Sequence, residues 1–451
     1  MPSAAATPSN KPPPRSTLPS LSLGLTLALN LASSPLNAQE AEAFSPTTAV
    51  RVEVNAVTGA LSFSGDAVDR GANTAVGAPL LNAWTVNLDS RLTLDTSFTG
   101  QDLLRLRLRS GNFAPSGFFS NPPTPLTRLD VAFQEPLCPR GEGGCGNHVS
   151  VNRLFLRVPL GATIRATAGS RLMQLDLLPV WPSVYTDSPI LELFQRAGAP
   201  GAYSRRVGSG FGAWWQPKGA LKGLSLAYGY VAPRGAEGEP ARGGWHTAGG
   251  DDTNTVQLAY TRPSWNLTAA WTRNGQRALL RGTPLASQLA AEARGGAVQS
   301  WSLAGYWQPL MAGWIPAISG GWGEDRFAFT TDPVAGLTGV RTSSWSVGLS
   351  WSDAFGPGNS VMLALGVPAH VTGLRGLGEV SVNDSGLALE MATRIRLSDA
   401  FSITPAVFWL TRPRGAMGGT TSLQQALGPE ARADDTSLGV WGGLLRGTLR
   451  F

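Results

Sequence analysis

Arg105, Arg107 and Arg109 alternate with Leu104, Leu106 and Leu108, so an extended chain puts three guanidiniums on one face and three leucines on the other. Such a face cannot meet lipid, where each charge would cost about 2–4 kcal/mol at mid-depth, and is expected to face a water-filled lumen. Just upstream, Asp89, Arg91 and Asp95 share a face opposite Trp84, Val86, Leu88, Leu92 and Leu94. Opposed cations and carboxylates across water set up a transverse field, which sorts solutes by size and charge. The same residues could instead solvate the wall or pair with one another, and the sequence leaves both readings open.

The period recurs. Arg128 and Asp130 oppose Leu129, Val131 and Phe133; Arg153 and Arg157 oppose Leu154, Leu156 and Val158; Glu390, Arg394 and Arg396 oppose Leu389, Met391, Ile395 and Leu397. In the segment Leu438 to Phe451, Arg446, Thr448 and Arg450 lie on one face, with Trp441, Leu445, Leu449 and Phe451 on the other. These inward charges are the candidate pore-lining residues. The strand ending on Phe451, with Trp441 and Leu449 on its outer face, looks like the signal that outer-membrane barrels present to their assembly machinery.

Elements that hold such residues must be strands of a closed antiparallel sheet, because lipid leaves no backbone group unpaired. Connection lengths agree. Short ones at Ser398 to Ala400, Ser352 to Gly358, Gln308 to Gly313, near Pro263 and Pro217 to Ala220 alternate with long ones at Pro413 to Asp435, His370 to Asp384, Glu324 to Arg341, Asn274 to Ala297, Ala232 to Asp251 and Pro182 to Ser204. Short turns belong on the periplasmic side. Thr99 to Asp102 breaks the count, since it looks like a tight hairpin where a long loop is due, and an extra strand or an internal segment before residue 180 is open. At roughly 25 residues per strand and connection, the expectation is an all-β transmembrane barrel of about sixteen strands over residues 44–451.

The N-terminal stretch, with Lys11 and Arg15 before a leucine-rich run and small residues up to Ala43, reads as a secretory signal over residues 1–43. No later run of about 20 apolar residues follows, which excludes a helical membrane protein. The formal net charge is +6. Its arginines fall at alternate strand positions rather than in a basic helix or tail, which argues against nucleic acid.

Cys138 and Cys145 flank a glycine-rich stretch, and two close cysteines in an exported chain are expected to form a disulfide. The three histidines, His148, His246 and His370, lack ligand spacing to them, so no metal and no cofactor is expected. The tryptophans, among them Trp84, Trp181, Trp271, Trp301, Trp322, Trp345 and Trp409, suit girdles at the bilayer edges. No enzyme site stands out: Gly208-Ser209-Gly210-Phe211-Gly212 lacks the context of a nucleophile elbow. Ile190, Leu191, Leu193 and Phe194, at helix-like spacing, could fold Pro182 to Ser204 into the lumen, with an ordinary external loop as the preferred reading.

Two stretches resemble a known family. Leu94 to Leu104 (LDTSFTGQDLL) is similar to a hairpin, and Ser402 to Thr411 (SITPAVFWLT) to the penultimate strand, of cyanobacterial outer-membrane porins of the carbohydrate-selective OprB class, also described as iron-uptake porins. The resemblance implies passive diffusion of small hydrophilic solutes: carbohydrates, inorganic ions and iron species. Such porins usually carry a surface-layer-homology domain before the barrel, whereas here the signal leads almost directly into Ala49 to Val54, so that domain is expected to be lacking. Outer-membrane lipid is the implied surrounding, and a homotrimer is a hypothesis from the architecture alone. The alternative is a closed barrel with a structural or surface-interaction role, which would need more inward Phe and Leu than the strands supply.

Overall fold

The computed structural model describes residues 48–65, 83–119, 124–135, 146–185, 189–275, 280–293, 298–329, 333, 336–377, 382–417, 426–427 and 438–451. The proposed signal over residues 1–43 and both cysteines lie outside the described residues. Sixteen antiparallel strands close into one barrel. They are β1 (Thr48–Ser64), β2 (Thr85–Thr96), β3 (Leu103–Gly111), β4 (Ser150–Leu160), β5 (Ile164–Met173), β6 (Val207–Trp215), β7 (Leu224–Ala232) and β8 (Thr253–Arg262) in the first half. The second half holds β9 (Trp265–Asn274), β10 (Val298–Trp307), β11 (Ala317–Ala328), β12 (Gly339–Ser352), β13 (Ser360–Arg375), β14 (Ala388–Arg396), β15 (Phe401–Leu410) and β16 (Gly439–Arg450). Each strand pairs with its chain neighbours, and β1 pairs with β16 in register from Glu53↔Arg450 to Ser64↔Gly439. The Phe451 amide and carbonyl extend that seam onto Val52 at 3.1 and 3.0 Å. Closure leaves no edge, so every strand finds two partners.

Alternation is visible in burial. On β16, Trp441 (49% exposed) and Leu445 (43%) point out while Val440, Leu444, Arg446 and Thr448 are buried inside. Trp409 and Trp441 stack at 5.2 Å on the outer surface. A single nine-residue helix among the described residues, α1 (Pro284–Glu292), starts at an N-cap where the Thr283 hydroxyl accepts from the Ala286 amide.

Two sequence expectations change here. Thr99 to Asp102 lies in the turn between β2 and β3, on the same end as the other short turns, so the alternation of turns runs unbroken around all sixteen strands. Of the two readings open before residue 180, an extra strand or an internal segment, the alternating stretch Leu129 to Phe133 is the internal segment and not a strand. It lies instead within the long connection between β3 and β4, where it makes only an isolated bridge between Leu129 and Leu191. Its period-2 pattern reflects one buried face, which a short inward segment shares with a strand.

The lumen is not simply water. Residues of the β3–β4 connection (Phe113, Phe118, Leu126, Leu129) and of the β5–β6 connection (Tyr185, Ile190, Leu191, Phe194) form one buried cluster with inward residues of β13 to β16 and β1, including Phe408, Leu410 and Val440. The strands alone supply few inward Phe and Leu; the connections bring them in. Small residues on the inner wall make the room. A Cβ on Gly348 of β12 would sit 2.5 Å from the Tyr185 ring, and one on Gly323 of β11 would sit 2.8 Å from Ala199. We expect Gly348→Val to destabilise the folded barrel by about 1–3 kcal/mol through overpacking, read as a lower temperature for loss of the heat-modifiable form on gels. Adding Tyr185→Ala is expected to relieve the clash in part; no difference between the single and double variants would refute the contact.

Candidate pore and its inner wall

The described residues of the β5–β6 connection, 174–185 and 189–206, lie inside the barrel, which corrects the preferred reading of Pro182 to Ser204 as an external loop. Its partners lie on strands far apart around the wall. The Val184 amide donates to the Ser319 hydroxyl of β11 at 2.9 Å, and the Ser344 hydroxyl of β12 donates to the Gly198 carbonyl at 2.8 Å. The Thr272 hydroxyl and Asn274 amide of β9 donate to the carbonyls of Ala202 and Gly201 at 2.7 and 3.1 Å. Trp181, expected in a girdle, is part of this segment and meets Tyr203 edge-on at 4.9 Å.

Two carboxylates fix it. Glu390 of β14 is fully buried and accepts from the Tyr185 hydroxyl at 2.8 Å and from the amides of Ile190 and Leu191 at 3.1 and 2.7 Å. It is therefore a clamp beneath the segment and not a pore-lining charge, a correction to its place among the candidates. Glu192, which the sequence reading missed, is ion-paired with Arg196 at 2.5 Å, Arg128 at 3.1 Å and Arg281 at 3.3 Å. Burial works against its charge, yet Arg196, Arg281 and Arg128 together hold its carboxyl well below the usual glutamate range. A depressed acid contributes stability that is complete where an unfolded glutamate is ionised, above about pH 4.3, and that is lost as pH falls through the lowered folded value.

Arg128 and Asp130 thus sit on an inward segment rather than on the wall. The Asp130 amide donates to the Ile190 carbonyl and the Glu192 amide to the Arg128 carbonyl, both at 2.9 Å, and Asp130 pairs with Arg205 at 2.6 Å. The two inward segments are stitched to each other by these contacts.

Against the β3–β4 segment stands the arginine wall of β2, β3 and β4, where Arg109 donates to the Val131 carbonyl at 3.2 Å and lies over the Phe133 ring at 4.3 Å. Direct cross-strand neighbours bring Arg91 to Arg109, Thr93 to Arg107 and Asp95 to Arg105, and Arg107 to Arg153. Most charges are matched: Arg91 with Asp89 at 2.8 Å and Glu53 at 3.1 Å, Arg105 with Asp95 at 2.7 Å, Arg109 with Asp89 at 2.5 Å, and Arg153 with Asp176 at 2.8 Å. Arg157 bonds the Asp176 carbonyl at 2.6 Å and lies over the Trp214 ring at 4.7 Å. Arg107 differs. Its partner is the neutral Thr93 hydroxyl at 2.9 Å, and among the described residues no carboxylate forms an ion pair with it. Arg91 and Arg105 keep 21% and 22% of their side chains open.

The other candidates scatter. Arg446 is buried and bonds the Pro189 carbonyl at 3.3 Å, supporting the crossing segment. Arg394 bonds the Gly358 carbonyl at 3.2 Å, and Arg396 pairs with Asp399, so both stand at the short-turn mouth. Trp441, Leu449 and Phe451 lie on the outer face of the closing seam.

No protein-family model matches the chain. A protein of Synechocystis sp. (strain ATCC 27184 / PCC 6803 / Kazusa), described as uncharacterized, is 30% identical over 348 residues, covering 71% of this chain and 58% of that relative's length. The high-pH structure of Pseudomonas putida OprB superposes with a TM-score of 0.56 at 11% identity, covering 92% of this chain and 96% of that one. Outer-membrane-expressed OmpT of Vibrio cholerae does so with a TM-score of 0.51 at 8% identity, covering 90% and 99%. The likeness is one of fold: this chain has the sixteen-stranded barrel architecture of outer-membrane porins.

Glu390→Ala strands three buried donors, each costing about 1–3 kcal/mol. We expect it to release residues 185–206, seen as new tryptic cleavage after Arg196, Arg205 or Arg206 in a barrel that still migrates as folded. Glu390→Gln, which keeps one acceptor oxygen, is expected to be cleaved more slowly; protection equal to the unsubstituted protein in both variants would contradict the clamp.

Proposed function

We propose that this protein is an outer-membrane porin through which small hydrophilic solutes diffuse passively, with anions favoured over cations. The observation that carries the reading is the asymmetry of the interior. The inward segments pack on β9, on β11 to β16 and on β1, and touch the arginine wall at Arg109, Arg153 and Arg157, which leaves Arg91, Arg105 and Arg107 of β2 and β3 as the charged side of the passage. Along that wall carboxylates pair with Arg91, Arg105, Arg109 and Arg153, while Arg107, held by the Thr93 hydroxyl alone among the described residues, keeps an unmatched positive charge at the middle of the ladder. A preformed cation with neighbours of like sign lowers the barrier for an anion and raises it for a cation.

Carbohydrates, inorganic anions and anionic iron complexes all suit such a passage, as the resemblance to the OprB class implies. The outward Trp441, Leu449 and Phe451 suit recognition by the barrel-assembly machinery, and outer-membrane lipid is the medium that the exposed leucines and tryptophans require. A homotrimer remains a hypothesis of the same kind, which native electrophoresis tests.

One observation favours a second reading, a closed barrel with a structural or surface role: the buried cluster around Phe113, Phe118, Tyr185 and Phe194 occupies part of the lumen. Conductance decides between them. Refolded protein in a planar bilayer under a salt gradient is expected to give stable channels whose reversal potential reports anion preference. Arg107→Glu is expected to lower the anion-to-cation permeability ratio severalfold without closing the channel. Folded barrel with no conductance would establish the closed reading, and unchanged selectivity in Arg107→Glu would remove Arg107 from the filter.

A further inference from the structure

Around the long-loop end of the outer surface, strand register lines up a polar row above the apolar belt. Arg273 of β9 stands opposite Gln299 of β10, Gln299 opposite Arg326 of β11, Arg326 opposite Arg341 of β12, and Arg341 opposite Gly373 of β13. One step towards the middle of the barrel, the same strands present Trp271 and Trp301, and one step further Leu303, Trp322 and Trp345. A two-residue step along a strand is about 7 Å, so the arginines lie one headgroup's depth beyond the indoles. At mid-depth they would be prohibitive; at the interface they cost about 0–1 kcal/mol each.

We propose that this row is a binding site for the phosphate of an anionic glycolipid in the surrounding leaflet. Four observations point there. The Arg326 and Arg341 side chains are 55% and 54% exposed, yet among the described residues they share a single carboxylate, Glu324, at 2.7 and 3.7 Å. The local charge is thus positive with donors to spare. Arg326 also rests over the Trp301 ring at 5.0 Å, which holds its planar fork in place. Between them opens a recess of about 560 Å³, lined by Trp301, Arg326, Arg341, Thr372, Gly373 and Arg375. A register shift leaves Thr372 as an extra residue in β13 at this spot, and a Cβ on Gly373 would meet only the Arg341 Cβ, at 3.9 Å.

A second copy of this chain fits less well, because the cores of protein interfaces are depleted of charge and this recess is ringed by guanidiniums. Two forks aimed at one pocket match a phosphate, which accepts bidentate pairs. The inference rests on the reading of the barrel as an outer-membrane protein but not on an open pore.

The test is native mass spectrometry of the detergent-purified full chain, incubated with a bis-phosphorylated glucosamine glycolipid or with the same glycolipid after phosphate removal. The unsubstituted protein is expected to retain the phosphorylated form, and Arg326→Gln with Arg341→Gln to weaken retention by about tenfold per guanidinium. Gly373→Phe, which fills the recess and leaves the charges, is expected to weaken it as well. Equal retention of both glycolipids, or no change in the double variant, would overturn the proposal. Competition by inorganic phosphate at equal concentration would assign the site to the free ion, and loss of oligomers with lipid retention unchanged would assign it to subunit contact; either overturns it. Conductance of the same samples separates the two readings. Channels without lipid discrimination sink only the lipid site, and lipid discrimination without channels sinks only the pore.

Discussion

A loop carried into a membrane barrel brings backbone amides that water no longer reaches, and each must find an acceptor on the wall. Glu390 supplies acceptors for two amides and a phenol at once, at the turn where the crossing segment reaches β14. Glu192, two residues on from Ile190, then gathers guanidiniums from both inward segments and from Arg281. Without the first carboxylate two amides and a phenol lose their acceptor, and the Arg446 bond to the Pro189 carbonyl is left to hold that side. Without the second, three cations crowd one another inside the barrel. The room left beside the arginines of β2 and β3 follows from where this segment is held.

The wall answers the segment in side-chain size. On β11 and β12 the inward positions facing it include Gly321, Gly323, Ser344, Ser346 and Gly348, and on β13 to β15 they include Ala364, Ala392 and Ala406. On β2 to β4 the inward positions are mostly arginine, aspartate, asparagine and threonine, with the buried Phe155 of β4 beneath Arg105 and Arg157. Small residues leave volume for the apolar segment, while long polar ones hold water. The interior is therefore divided by composition before any loop is placed: one arc is packed like a protein core, and the opposite arc is kept polar.

That division also explains what the sequence made legible. Inside and outside separate cleanly on β2, β3, β4, β14 and β16, because lipid and water impose a period of two that a charged residue cannot violate cheaply. The contents of the lumen were not legible, because Leu129 to Phe133 and Ile190 to Phe194 owe their burial to partners tens to hundreds of residues away. Glu390 was assigned to the pore because an inward charge looks the same whether it faces water or a buried amide. The signal that could have separated the two was its surroundings. Ala388 and Ala392, its inward neighbours on β14, are too small to cover it, whereas the charges of β3 stand among other long polar side chains.

The choice of cation matters to what the polar arc can do. Of the 36 basic residues only Lys11, Lys218 and Lys222 are lysines, and none of these lies in a described strand. A lysine ammonium is a point charge on a flexible stem, free to fold back on any carboxylate. Guanidinium is planar and can be held at its edge while its face remains available. Arg105 is held by Asp95 and Arg109 by Asp89, Arg157 lies over Trp214, and Arg107 is steadied by Thr93 without being neutralised. A ladder fixed in this way keeps its charges at set heights along the wall. Replacing the one neutral anchor, Thr93, with aspartate would complete the pairing and cancel the surplus, which makes a hydroxyl at that position as much a determinant of the field as the arginine it holds.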